Sequence, residues 1–556
     1  MYKYSVITAA MLAAGGQAAS AQQAPSAGTQ LQQIPPAPAP PRVDPQIRIE
    51  RAGSPDQPLA GGATVRVGSL HVTGNTLFSE AELIAAANIA PGSELTLADL
   101  RAAAARIAAH YNERGYFLAQ AYLPPQGIEN GLVKIAVVEG RYGKIDVRNQ
   151  TNLANGRANQ ILDGLRTGDP VASAPLERRL LLLSDIPGVQ VKSTLVPGAL
   201  VGTSDLLVDI DPGRRVTGSV EADNAGNRYT GALRAGGSVN LNNPGGIGDL
   251  LSLRLLASEG GLAYGRASYQ APVGSLMLGI AYTHLTYELG REFESLEADG
   301  TADIFSVFGS YPLVRSRDAN LYALAGVDVK QLEDRVGLVS SESDKQAVVA
   351  TVGLSGDSRD ELGGGGWNVY SMGVSFGSLD IQSPIERAAD ALTARSNGKF
   401  GKLQANIGRL QSLSGPLSLY ASMRGQLAFA NLDSSEKMEL GGAYGVRAYP
   451  EGEAYGDQGY IATVEARLML TQWTKALPGQ LQLIAFVDVG EVEFSHDPWF
   501  TGSNHASRSG YGAGLTWFGP HDLVLKASYA RKLGDAVTTS GPDRDGRAWF
   551  HISKLF

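Results

Sequence analysis

The residues best placed to do chemistry are one cation and one carboxylate. Arg447 sits near the centre of a long Gly- and Tyr-rich stretch, Gly441–Tyr460 (GGAYGVRAYPEGEAYGDQGY). Asp488 interrupts the apolar run Phe486-Val487-Asp488-Val489-Gly490. A guanidinium and a carboxylate form a bidentate bond that is strongest when partly desolvated, which makes a tether rather than a catalyst. From these residues alone, two solvated charges, one in an external loop and one on an inner wall, remain the simpler alternative.

Patterns that would signal catalysis are missing or misplaced. Gly143-Lys144, Gly398-Lys399 and Gly401-Lys402 lack the hydroxyl residue that follows lysine in a phosphate-binding loop. The seven histidines are scattered without ligand spacing. Gly373-Val374-Ser375-Phe376-Gly377 has the spacing of a nucleophile elbow, but it lies inside a strand pattern with no helix after it. No enzyme activity, cofactor or metal is expected.

A tether needs a rigid frame. From Arg214 to Phe556 helical periodicity is absent, and about sixteen long segments alternate apolar and polar residues. In Leu417–Leu427, Ser418, Ser422, Arg424 and Gln426 share one face. Segments of this length with apolar-out, polar-in alternation suit tilted strands crossing a bilayer. The turns between them alternate short (Asn242–Gly248, Gly415-Pro416) with long (Gly290–Thr301, Asp380–Asn397, Asn431–Gly459), as when the two ends of a barrel face different compartments. A barrel of about sixteen strands leaves an aqueous lumen into which residues 431–459 can fold. After the N-terminal segment no apolar run reaches about eighteen residues, so a membrane can be crossed only by a closed barrel.

The rest of the chain fits export. Lys3, the apolar Val6–Ala14 and Ala19-Ser20-Ala21 make residues 1–21 a signal peptide. Cysteine is absent and the net charge is −8, which argues against thiolate metal sites and nucleic-acid partners. Residues 22–62 form a leader and Pro-rich linker, with Pro35–Pro45 as a stiff spacer. Any helix before it is limited to about two turns by Pro25 and Gly28, and a disordered leader is an equal alternative. Two units of β-α-α-β-β order follow, over 63–140 and 141–212. Ser79 and Thr96 are expected to begin the helices of the first unit, and Ser173 to cap the second helix of the next.

Several motifs together resemble the outer-membrane transporters of two-partner secretion, the TpsB family that exports haemolysins and adhesins. Val446-Arg447-Ala448-Tyr449 resembles the motif at the tip of the family's inward-folded loop. Phe486-x-Asp488-x-Gly490 resembles the inner-wall motif that receives its arginine. Asp223-Asn224-x-Gly226, Tyr229-Thr230-Gly231 and Asn243-Pro244-x-Gly246-x-Gly248-Asp249 resemble its first hairpin, and the terminal Phe556 resembles a barrel-assembly signal.

The resemblance implies POTRA repeats of α+β fold followed by an all-β, 16-stranded antiparallel transmembrane barrel over 213–556. It implies a Gram-negative outer membrane with the POTRA units in the periplasm. It also implies a secreted exoprotein partner with an N-terminal secretion domain, besides contacts with outer-membrane lipid and the barrel-assembly machinery. That partner is expected to add a strand to a sheet edge, with Gly143–Val147 and Leu206–Ile210 as candidates. The alternatives are a barrel-assembly insertase and a passive porin. Ala448 replaces the family's glycine, and residues 27–34 are the one candidate for its pore-plugging helix.

Overall fold

The computed structural model describes residues 25–38, 46–49, 64–470 and 478–556. The expected signal peptide and residues 39–45 of the spacer lie outside the described residues.

The first soluble unit packs helices Glu80–Ala87 and Leu97–Glu113 against a sheet ordered Ser69–Thr73, Leu132–Val138, Gln120–Tyr122. Its core is the set the helical spacing selects, including Leu83, Leu100, Ile107 and Tyr111, closed from the sheet side by Ile135. The Ser79 side chain accepts from Glu82 N, and Thr96 forms a reciprocal capping box with Asp99. An extra two-stranded ribbon, Thr64–Arg66 with Glu94–Thr96, departs from the expected element order. Three-residue strands are too short to show a period.

The second unit repeats the order: strand Arg141–Asn149, helices Asn155–Leu162 and Ser173–Ser184, strands Val189–Pro197 and Thr203–Pro212. Ser173 is not a cap. It is the first helical residue, and its N–H donates to Gly115 O of the first unit at 2.9 Å, so it joins the two units. Leu206–Ile210 is not an edge. Thr203–Pro212 pairs with Arg141–Asn149 on one side and Val189–Pro197 on the other. The far side of Val189–Pro197 is covered by Gln46–Ile49 of the leader, in parallel register with Lys192–Leu195. Beyond an isolated bridge from Arg141 to Pro170, Arg141–Asn149 has no other pairing along its outer edge among the described residues.

Sixteen antiparallel strands from Val216–Asp223 to Gly546–Leu555 close into a barrel. Alternation sets the two faces: Leu251, Leu253 and Leu255 point outward, while Arg254 is buried against the lumen. Two expected loops are corrected. Gly290–Thr301 holds a short 3-10 helix, Arg291–Leu296, and then the first residues of strand Ala298–Arg315, which pairs with Ala319–Val336 from its first residue; its polar sequence reads as loop although the hairpin continues past the apolar belt. Asp380–Asn397 contains a helix, Pro384–Leu392, with proline in its first turn, where a missing N–H does no harm.

On the short-turn side the second unit is bolted to the barrel. Arg315 Nε and Nη2 each donate to Asp185 at 2.7 Å, and Asn152 Nδ2 donates to Asn243 O at 2.9 Å.

Candidate functional site

Residues Asn431–Asp457 leave the wall and fold into the lumen, where most are buried. A two-residue ribbon, Met438–Glu439 with Tyr455–Gly456, stiffens the stalk. At the tip Val446, Ala448 and Tyr449 are fully buried.

Arg447 is held from every side. Its Nε and Nη2 donate to the two oxygens of Asp488, each at 2.8 Å, and its backbone N–H adds a bond of 3.2 Å to Oδ2. Nη1 donates to Glu465 Oε1 at 2.9 Å, and the guanidinium carbon lies 3.5 Å from the centre of the Phe486 ring. Trp549 Nε1 donates to Arg447 O at 2.7 Å. Thr463 Oγ1 donates to Asp488 Oδ1 at 2.9 Å and fixes that carboxylate. Asp488 is 0% exposed, so each of its carboxylate oxygens must be met by a donor, and the arginine fork meets both at once. The site neutralises charge and fixes position.

The remaining motif residues fall in two places. Gly490 lets the loop come close, since a Cβ there would lie 2.7 Å from Leu440 Cδ1. Ala448 is absent from the positive-φ residues, so the alanine is unstrained. Asp223, on the first barrel strand, pairs with Arg234 at 2.9 Å in the wall and accepts from Ala225 N. Asn224 bridges to the last strand through Ala548 O and Phe550 N. Gly226 is required by a close approach, its Cβ position lying 2.1 Å from Gly231 O.

Asn243, Gly248 and Asp249 build a short turn. Asn243 Oδ1 accepts from Gly248 N and Asp249 accepts from Gly245 N, while Pro244 stays exposed. Gly218 and Phe556 exchange backbone bonds of 3.0 Å in each direction.

Helix Ala27–Gln32 falls within residues 27–34, the candidate for the pore-plugging helix, and is buried in the lumen, with Gln33 Nε2 donating to Tyr455 OH at 2.6 Å and Thr230 Oγ1 to Gln30 Oε1 at 2.8 Å. Leader residues line two cavities of about 730 and 410 Å³. Glu465, Glu436 and Glu453 also hold the loop, the last through Arg508 Nη2 at 2.7 Å. Sequence reasoning missed all three: Glu465 lies on an inward-facing strand position, the mark of any wet lumen, and Glu436 and Glu453 lie in the loop itself, where no periodicity singles them out.

The family model described as haemolysin secretion/activation protein ShlB/FhaC/HecB matches residues 202–517, more than half of the chain. The model of the ShlB-type POTRA domain matches residues 65–140. The heme/hemopexin transporter protein HuxB of Haemophilus influenzae (strain 86-028NP) is 28% identical over 472 residues, covering 84% of this chain and 82% of that protein. The outer membrane transporter CdiB of Dickeya dadantii (strain 3937) is 26% identical over 401 residues, covering 69% and 68%. Among solved structures, CdiB from Escherichia coli superposes with a TM-score of 0.69 at 19% identity, over 90% of this chain and 93% of that one.

The chain belongs to the haemolysin secretion/activation protein family, the outer-membrane transporters of two-partner secretion. It is an outer-membrane protein with its POTRA module in the periplasm, and its family exports partner exoproteins.

Proposed function

We propose that this transporter carries an unfolded haemolysin- or adhesin-type exoprotein through its barrel, and that Arg447 on Asp488 is the tether that seats the inward loop. In this reading residues 1–21 are removed on export, and 63–140 and 141–212 act as two POTRA units. Phe556 addresses the last strand to the barrel-assembly machinery. The secretion domain at the N-terminus of the partner adds a strand to the Arg141–Asn149 edge, the flank of the second sheet that no strand occupies among the described residues. The chain threads the lumen as loop and leader yield. No ATP and no catalytic step are involved, and folding of the partner outside draws it through.

The observation that carries the reading is the tether itself: a loop folded into a sixteen-stranded lumen and fixed there by one arginine on a fully buried carboxylate. Co-expression with the exoprotein of the same host, followed by measurement of its release, tests it. Arg447→Ala and Asp488→Ala are each expected to cut release by at least about tenfold, since breaking a buried pair costs about 3–5 kcal/mol. Wild-type release and wild-type channel conductance in both variants would refute the tether.

A further inference from the structure

The loop carries a second ionic anchor, remote from Arg447. Glu436, in the short turn Ser434–Glu436 of the stalk, lies between Lys330 Nζ at 2.5 Å and Lys402 Nζ at 2.8 Å. Those lysines come from the strands Ala319–Val336 and Gly398–Ser414. Lys402 Nζ and Gln426 Nε2 both donate to Glu436 O at 2.9 Å, so charge and backbone are held together. Glu436 is 2% exposed.

The leader helix rests on this same turn. Ser26 Oγ lies 3.1 Å from Ser434 Oγ, and Gln32 Nε2 donates to Ser435 O at 2.6 Å. Gly28 packs so tightly that a Cβ there would lie 2.7 Å from Ser435 N. The strand that supplies Lys330 also supplies Asp334, whose Oδ1 accepts from Ala27 N, the first residue of the helix, at 2.7 Å. A carboxylate at a helix N-terminus meets the positive end of the backbone dipoles. Wall, loop and leader therefore close a circuit through Lys330, Glu436, Ser434–Ser435, the helix and Asp334. Asp488, Glu465, Phe486 and Trp549, the partners of Arg447, lie outside it.

We propose that Glu436, gripped by Lys330 and Lys402, is the positioning residue that keeps the leader in the lumen, so that one loop carries two separate clamps: Glu436 for the leader and Arg447 for the tip. This rests on the transporter reading, in which departure of the leader clears the channel. Loss of the Glu436 charge leaves two buried ammonium groups facing each other without their shared carboxylate. They repel, the turn shifts, and the leader loses its floor.

The chain has no cysteine, so a single reporter thiol at Ala27→Cys, a buried position, is unambiguous. The full-length protein is purified, its folded barrel is verified by heat-shifted migration on a gel, and labelling by a bulky maleimide is timed. Glu436→Gln is expected to raise the labelling rate about tenfold, the size of a shift from a rare to a common open state, with a parallel rise in bilayer conductance. Arg447→Ala is expected to leave labelling within about twofold of wild type, and Glu436→Asp, which keeps the carboxylate, to restore most of the protection.

Protection unchanged in Glu436→Gln overturns the proposal, and so does equal exposure in Arg447→Ala. Should Glu436→Gln yield no folded barrel, Lys402→Met is timed in its place, and unchanged protection there overturns the proposal equally. Export of the exoprotein by wild type is scored separately. Its absence would sink the transporter reading whatever the labelling shows.

Discussion

Gly510 faces the tip of the loop across the lumen, and its missing side chain is what lets Ala448 fit. A Cβ on Gly510 would lie 2.5 Å from the Cβ of Ala448 and 3.0 Å from Arg531 O. Gly510→Ala is therefore expected to cost about 1–3 kcal/mol as an overpacking change. Adding Ala448→Gly should recover part of that loss, because it removes the closer of the two contacts. Urea unfolding of the four proteins of this cycle gives the coupling, and simple additivity would refute the pairing. Ala448 stands where the resembling motif has glycine, a residue that would permit positive φ; the backbone there does not adopt it, and the adaptation sits on another strand. The residues alone left Arg447 and Asp488 as two solvated charges; their pairing was legible through the resemblance of the motifs around them to the family's loop tip and inner wall. The role of Gly510 was not, since one glycine among 68 carries no signal.

Among elements, the joint between the soluble units has its own carboxylate. Glu139 is buried, accepting from Thr76 N at 2.5 Å, Leu77 N at 2.8 Å and Tyr111 OH at 3.1 Å, and pairing with Arg141 at 3.0 Å. Burial pushes its carboxyl up, but the bonds from Thr76, Leu77 and Tyr111 outweigh that and hold it below the ordinary glutamate value. A carboxylate depressed in the folded state stabilises above its unfolded pKa, about 4.3, and that stability drains away as pH falls through the lower folded value. Glu139→Gln should cost about 1–3 kcal/mol at neutral pH and progressively less as pH falls through the lowered folded value, because protonation removes the advantage there. Thermal melts of the full chain, followed by helical circular dichroism at pH 7 and at about pH 2, well below the reference, check this. An equal loss at both values would show that the charge is irrelevant.

Helices of this module were legible from spacing and caps. The leader helix was legible only through the family resemblance, which marked residues 27–34 as the candidate plug: six residues held in the lumen by polar contacts have no periodicity to read. The covering of the second sheet by Gln46–Ile49 was hidden for the same reason, since four residues beside a proline-rich spacer carry no pattern and only tertiary pairing makes them a strand.

At the scale of the whole molecule, fifteen strand pairs join neighbours in barrel order and one closes the circle. Period-two alternation made the strands countable but could not say how they close. The closing seam is short: Gly218–Asp223 pairs with His551–Phe556, whereas Ala319–Val336 pairs end to end with Ser341–Ser358. This seam separates the two mechanisms open to a barrel with periplasmic units. An insertase must part its wall to pass strands sideways into lipid, but a translocase uses only the lumen. Ser219 and Leu555 stand opposite each other, next to the Gly218–Phe556 pair that exchanges both backbone bonds. Their Cβ atoms thus take the closer of the two antiparallel spacings, which suits a disulfide. In the cysteine-free chain, Ser219→Cys with Leu555→Cys should form one bond on oxidation. Export of the exoprotein and bilayer conductance should stay within about twofold of the reduced protein, because the lumen and both clamps are untouched by a staple worth a few kcal/mol in the wall. Loss of export on oxidation, restored by reductant, would mean that the wall itself opens and that cargo does not pass through the lumen alone.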